Sequence, residues 1–121
     1  MRSALISLLL AFSCLSHADS IRVLVQSSPL AGFQYHAGAT VWSQLTVGDR
    51  LQLVREPENP HDVRAVRVEW RGQQLGYLPR AENDAVAAAM DRGDRVEGRI
   101  AALVAHKNPW RRVRIDVFVV L

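Results

Sequence analysis

Residues 53–68 read L-V-R-E-P-E-N-P-H-D-V-R-A-V-R-V, and this stretch decides the fold class. Its start belongs to a segment, Arg50–Arg55, in which Leu51 and Leu53 alternate with polar neighbours. Strict alternation turns one face to a core and the other to water, so the segment is a half-buried strand. The EPENPHD run at 56–62 then holds two prolines, an asparagine and an aspartate. Proline cannot donate to a strand ladder, and Asn and Asp bond their own backbone, so an ordered turn is expected here. Alternation resumes over Val63–Trp70, with Val66, Val68 and Trp70 on one face and Arg67 and Glu69 on the other. The stretch is therefore strand, rigid turn, strand.

Downstream, Arg71-Gly72-Gln73-Gln74 reads as a hairpin loop, and Leu75–Leu78 as the return strand, stopped by Pro79. Arg80–Arg92, RAENDAVAAAMDR, is the main helix expected. Alanine favours helix. Val86 and Met90 lie four apart toward a core, while Glu82, Asp84 and Asp91 face water. Gly93 suits the left-handed residue after a helix end. Asp94–Ala105 and Arg111–Leu121 read as two further strands joined by HKNPW. Upstream, Ile21–Gln26 is β-branched and strand-like. A loop follows in which Gly32 and Gly38 bracket Phe33, Tyr35 and His36. Val41–Leu45 is expected as a short helix with Thr40 as its N-cap. Many short strands with one inserted helix predict a mainly β chain, folded as a small closed or partly open barrel of about six strands.

The first 18 residues are set apart from that fold. Arg2 gives a positive start, Ala4–Leu15 is apolar or small throughout, and Ser16-His17-Ala18 offers small residues for cleavage. This is the pattern of a secretory signal peptide, so the domain is expected at 19–121, exported to the periplasm or secreted. The apolar run falls short of the roughly 20 residues a membrane span needs, so no stable span is expected once the signal is removed. Cleavage would remove Cys14, the only cysteine, leaving no disulfide, thiol nucleophile or cysteine zinc site. It would also remove Arg2, lowering the net charge from +3 to +2. With so small a surplus, nucleic-acid binding is permitted by charge but not demanded, and distribution matters more than the total.

Four segments, AGFQYHAG at 31–38, VGDRLQLVREPENPHDVRAVRV at 47–68, GYLPR at 76–80 and VEGRI at 96–100, together resemble the HIRAN domain. The resemblance covers about residues 22–120. It implies an OB-like or SH3-like barrel with helices attached. It also implies capture of the 3′ end of single-stranded DNA, where aromatics stack on bases and a carboxylate accepts a hydrogen bond from the 3′ hydroxyl. On that resemblance Tyr35 falls on the base-stacking aromatic and Asp62 on the hydroxyl acceptor. His61 stands where the fork-remodelling members carry tyrosine, and Gln34 where they carry arginine. Arg80 matches a phosphate-holding basic position, and Tyr77 lies in the same motif.

The residues themselves suit such a ligand. Single strands need flat side chains for stacking and cations along the backbone. Tyr35, His61, Tyr77 and Phe33 are candidates for the first role, and Arg55, Arg64, Arg67, Arg71 and Arg80 for the second. The same residues also admit structural roles. Asp62 can bond its own turn, Tyr35 and Tyr77 can pack, and Arg111, Arg112 and Arg114 can form a solvated strand face.

No enzyme is expected. The histidines outside the leader, His36, His61 and His106, are scattered without metal-ligand spacing, and neither a G-x-S-x-G elbow nor a phosphate-cradling glycine loop occurs. No cofactor or metal is expected. Two other classes stay open: an envelope protein–protein interaction module that kept the barrel without the DNA-end site, and a small-ligand binder using 33–36 and 61–62.

Overall fold

The computed structural model describes residues 20–121, so the expected signal peptide lies outside the described residues. Six strands form: β1 (Arg22–Pro29), β2 (Arg50–Glu56), β3 (Ala65–Trp70), β4 (Gln73–Tyr77), β5 (Arg95–Leu103) and β6 (Val113–Val120). Two short helices, α1 (Gly38–Val41) and α2 (Asp84–Asp91), accompany them. Single 3-10 turns lie at Phe33–Tyr35, Trp42–Gln44, Arg80–Glu82 and Pro109–Arg111. The strands make one antiparallel sheet in the order β1-β6-β5-β2-β3-β4. The alternating residues behave as their spacing predicts. Leu51, Val66, Val68, Trp70, Ile100, Val113, Ile115 and Val117 are all buried in one core with Val86 and Ala87 of α2.

The expected barrel does not close. β1 and β4 are the two edges of the sheet. Just past the end of β1, Ala31 forms one isolated bridge to Tyr77 of β4, exchanging two backbone hydrogen bonds of 2.9 Å. Pairing cannot spread from it, because Pro29 has no N–H to donate. On the other side Gly32, at φ 74°, turns the chain into the Phe33–Tyr35 turn.

Both helices differ from expectation. The main one is interrupted: a 3-10 turn at Arg80–Glu82 precedes the eight-residue α2, and Asn83 between them donates its side-chain amide to Asp62 at 2.7 Å instead of capping the helix. The short one begins at Gly38, which puts Thr40 inside it rather than at its cap. Gly38 is required for packing: a Cβ there would stand 2.3 Å from the Phe33 ring.

One buried carboxylate clamps the far end of the sheet. Glu97 on β5 is reached by Arg22 of β1 at 2.9 Å, Arg95 at 3.3 Å and Arg50 of β2 at 3.5 Å. The Arg22 hydrogen bond holds its carboxyl below the usual range; burial pushes it up, and the charges of the three arginines add to the lowering.

Candidate nucleic-acid interface

The turn between β2 and β3 is built on Asn59. Its Oδ1 accepts from the amides of His61 at 2.9 Å and Asp62 at 3.2 Å. Its Nδ2 donates to Glu56 Oε1 at 3.0 Å. The Tyr77 hydroxyl donates to that same oxygen at 2.9 Å, and Arg67 holds the other at 2.7 Å. Burial would raise the Glu56 carboxyl, but Asn59, Tyr77 and Arg67 outweigh it and leave it lowered. Tyr77 is held as a neutral phenol, its pKa raised by burial and by donation to Glu56. One carboxylate thus locks the turn to β4.

Asp62 is the product of that locking. Its Oδ1 accepts from the Arg64 amide at 2.9 Å, and its Oδ2 from Asn83 Nδ2 at 2.7 Å. Burial raises its carboxyl; the Arg64 amide, Asn83 and the charges of Arg80 and Arg64 prevail and lower it. It is therefore ionised at neutral pH and held by neutral donors, with no cation within 4.0 Å among the described residues. An ionised carboxylate offers about four lone-pair sites, and two are in use.

Two adjoining hollows share this aspartate. One, of about 290 Å³, is lined by Arg64, Arg80, Asn83 and Asp84 beside His61 and Asp62. The other, of about 270 Å³, is lined by Ala31, Asn59, Tyr77, Leu78 and Arg80 beside the same pair. The result is a surface groove with a fixed anion, one unpaired guanidinium, an imidazole and a phenol ring. The His36 ring meets Tyr77 edge-on, with centroids 5.8 Å apart.

A family model for the HIRAN domain matches residues 23–121. The chain belongs to the HIRAN family. Among solved structures, a Lactobacillus plantarum protein is 24% identical and superposes at a TM-score of 0.72, over 84% of this chain and 97% of that one. The HIRAN domain of human HLTF is 20% identical at a TM-score of 0.63, over 86% of this chain and 80% of that one. These likenesses carry the fold. A Fanconi-associated nuclease 1 homolog from Oryza sativa subsp. japonica is 33% identical over 82 residues, 64% of this chain. The match spans 8% of that much longer protein, so its named activity is not carried across.

The structure sorts the residues that the sequence puts forward in this HIRAN domain. His61, Asp62, Tyr77 and Arg80 meet in the groove. Tyr35, 80% exposed, and Gln34, also exposed, stand on the adjoining turn after Ala31 and line neither hollow. Phe33 is a correction. It is 1% exposed and packs edge-on against Trp42, so it offers no face to a base. The candidate phosphate-binding arginines differ in what holds them. Arg55 pairs with Asp91, Arg64 with Asp84 and Arg67 with Glu56, while Arg71 stacks over Trp70 at 4.5 Å. Among the described residues, only Arg80 of those five has neither a carboxylate within 4.0 Å nor an aromatic stack. Two residues that the sequence does not put forward for the site help to build it. Asn59, inside N-P-H-D, was legible as an Asx turn. Asn83 was not, because its role depends on Asp62, remote in the chain.

Proposed function

We propose that this domain binds the 3′ end of single-stranded DNA, with Asp62 accepting a hydrogen bond from the terminal hydroxyl. The observation that carries it is the Asp62 carboxylate: ionised, oriented by the Arg64 amide and Asn83, and set in a groove rather than in an ion pair. A 3′ hydroxyl is a donor and fits its free lone pairs, whereas a terminal phosphate is repelled. Family membership supports nucleic acid as the ligand, since another HIRAN domain, that of human HLTF, has a DNA-bound conformation. His61 and Tyr77 flank the terminal nucleoside, Arg80 takes a phosphate, and Tyr35 stacks on a base beyond the groove. This is binding without chemistry; no step in it breaks a bond.

The test is a fluorescence-anisotropy titration of labelled oligonucleotides with a free or a phosphorylated 3′ end. The free end binds more tightly to the native protein, and Asp62→Ala removes the difference while thermal unfolding shows the variant folded. Equal affinity of the native protein for both ends overturns the proposal. We further propose that the domain acts outside the cytoplasm, on the pattern of residues 1–18. Fractionation with N-terminal sequencing tests it, and an intact Met1 on cytoplasmic protein refutes it.

A further inference from the structure

Half of the described lysines and arginines are tied to carboxylates. Seven others have none within 4.0 Å among the described residues, and four of these, Lys107, Arg111, Arg112 and Arg114, lie on or beside one turn. No acidic residue occurs between Glu97 and Asp116. The turn thus concentrates four positive charges in a chain whose whole net charge is +3. At its tip Trp110 is 47% exposed and lines a hollow of about 380 Å³ with Arg111 and Arg114.

The turn is pre-shaped. Asn108 Oδ1 accepts from the Trp110 amide at 3.1 Å, and the Asn108 amide donates to His106 Nδ1 at 2.9 Å. Arg112 is spent inward, donating to the His106 carbonyl at 2.8 Å. Among the described residues Lys107 and Arg111 are exposed and without a carboxylate partner, and the Arg114 guanidinium donates only to Ser27, at 3.3 Å. The Pro109–Arg111 turn lies against the Phe33–Tyr35 turn, so this surface continues from the one that carries Tyr35.

We infer that the turn between β5 and β6 is a backbone track for single-stranded nucleic acid. Lys107, Arg111 and Arg114 neutralise phosphates of nucleotides lying 5′ of the captured end, and Trp110 takes one of their bases. The inference rests on the end-binding reading above and extends it from a terminal nucleotide to a strand. Cations beside an exposed indole match a stacked polyanion, and continuity with the Tyr35 turn gives the strand a path. Each phosphate contact on a single strand adds about 0.7 to the slope of log affinity against log salt.

The test compares the native protein with Lys107→Gln/Arg111→Gln/Arg114→Gln, which leaves Arg112 to hold the turn. Labelled dinucleotide and octanucleotide are titrated at about 50 and about 200 mM salt, with anionic vesicles as a third ligand. The native protein binds the octanucleotide more tightly than the dinucleotide. The triple variant keeps dinucleotide binding, loses most of the gain with length, and has a salt slope lower by about 2. Over that fourfold rise in salt, the native affinity therefore falls about twentyfold further than the variant's. An unchanged slope and length dependence overturns the track, as does charge-dependent binding to vesicles with none to the octanucleotide. Equal affinity for free and phosphorylated 3′ ends, with the slope still shifted by the triple variant, overturns the end site and upholds the track.

Discussion

Asn59→Ala is the perturbation that tests how the groove is made. The substitution removes three hydrogen bonds at once: two accepted by Oδ1, from the His61 and Asp62 amides, and one donated to Glu56. A net intramolecular hydrogen bond contributes about 1 kcal/mol. The His61 amide belongs to an exposed residue and regains water, which roughly halves its loss. Glu56 keeps Tyr77 and Arg67, so the third bond is also worth less than its isolated value. The total is about 2 kcal/mol. For a small domain unfolding in urea with a slope of about 1–2 kcal/mol per molar, the midpoint falls by about 1–2 M. The same variant frees the backbone amide of Asp62 from the turn that positions it, so preference for a free 3′ end falls with stability. Asn59→Asp keeps the acceptor for the two amides but sets a second carboxylate against Glu56, so it is destabilised as well while retaining more end preference than Asn59→Ala. Equilibrium urea unfolding and end-discrimination titrations supply the data. Full end preference in a destabilised Asn59→Ala protein refutes the claim that this side chain builds the site.

Tyr35→Ala leaves the urea midpoint unchanged, because the ring is 80% exposed, yet weakens strand affinity by the 1–3 kcal/mol of one stacked base, about 5- to 150-fold. Unaltered affinity removes Tyr35 from the interface. Gly76→Ala places a Cβ 2.1 Å from the Ala31 carbonyl oxygen, opening the bridge between the sheet edges at a cost of about 3 kcal/mol; a thermal midpoint equal to that of the native protein contradicts this. Glu97 has a lowered carboxyl, so its contribution to stability is full above the ordinary glutamate value near about 4.3 and is lost as pH falls through the lowered value. Glu97→Gln therefore lowers stability at pH 7 and flattens the acid limb. Parallel pH curves for the two proteins refute the clamp.

The period-two pattern in the sequence determined which residues face the core, because alternation is a property of the strand itself. Leu51, Val66, Val68, Trp70, Ile115 and Val117 are buried as that pattern requires. It equally determined the N-P-H-D turn, since proline and asparagine chemistry acts within a few residues. Alternation says which face a side chain takes but not which strand lies beside it. The strand order, the unclosed edges and the Ala31–Tyr77 bridge were therefore decided only in three dimensions. The same holds for the arginines, whose charges read alike in sequence. Packing brought Asp91, Asp84 and Glu56 to three of them and left Arg80 and the turn around Trp110 unpaired, because ion pairs depend on distance in space.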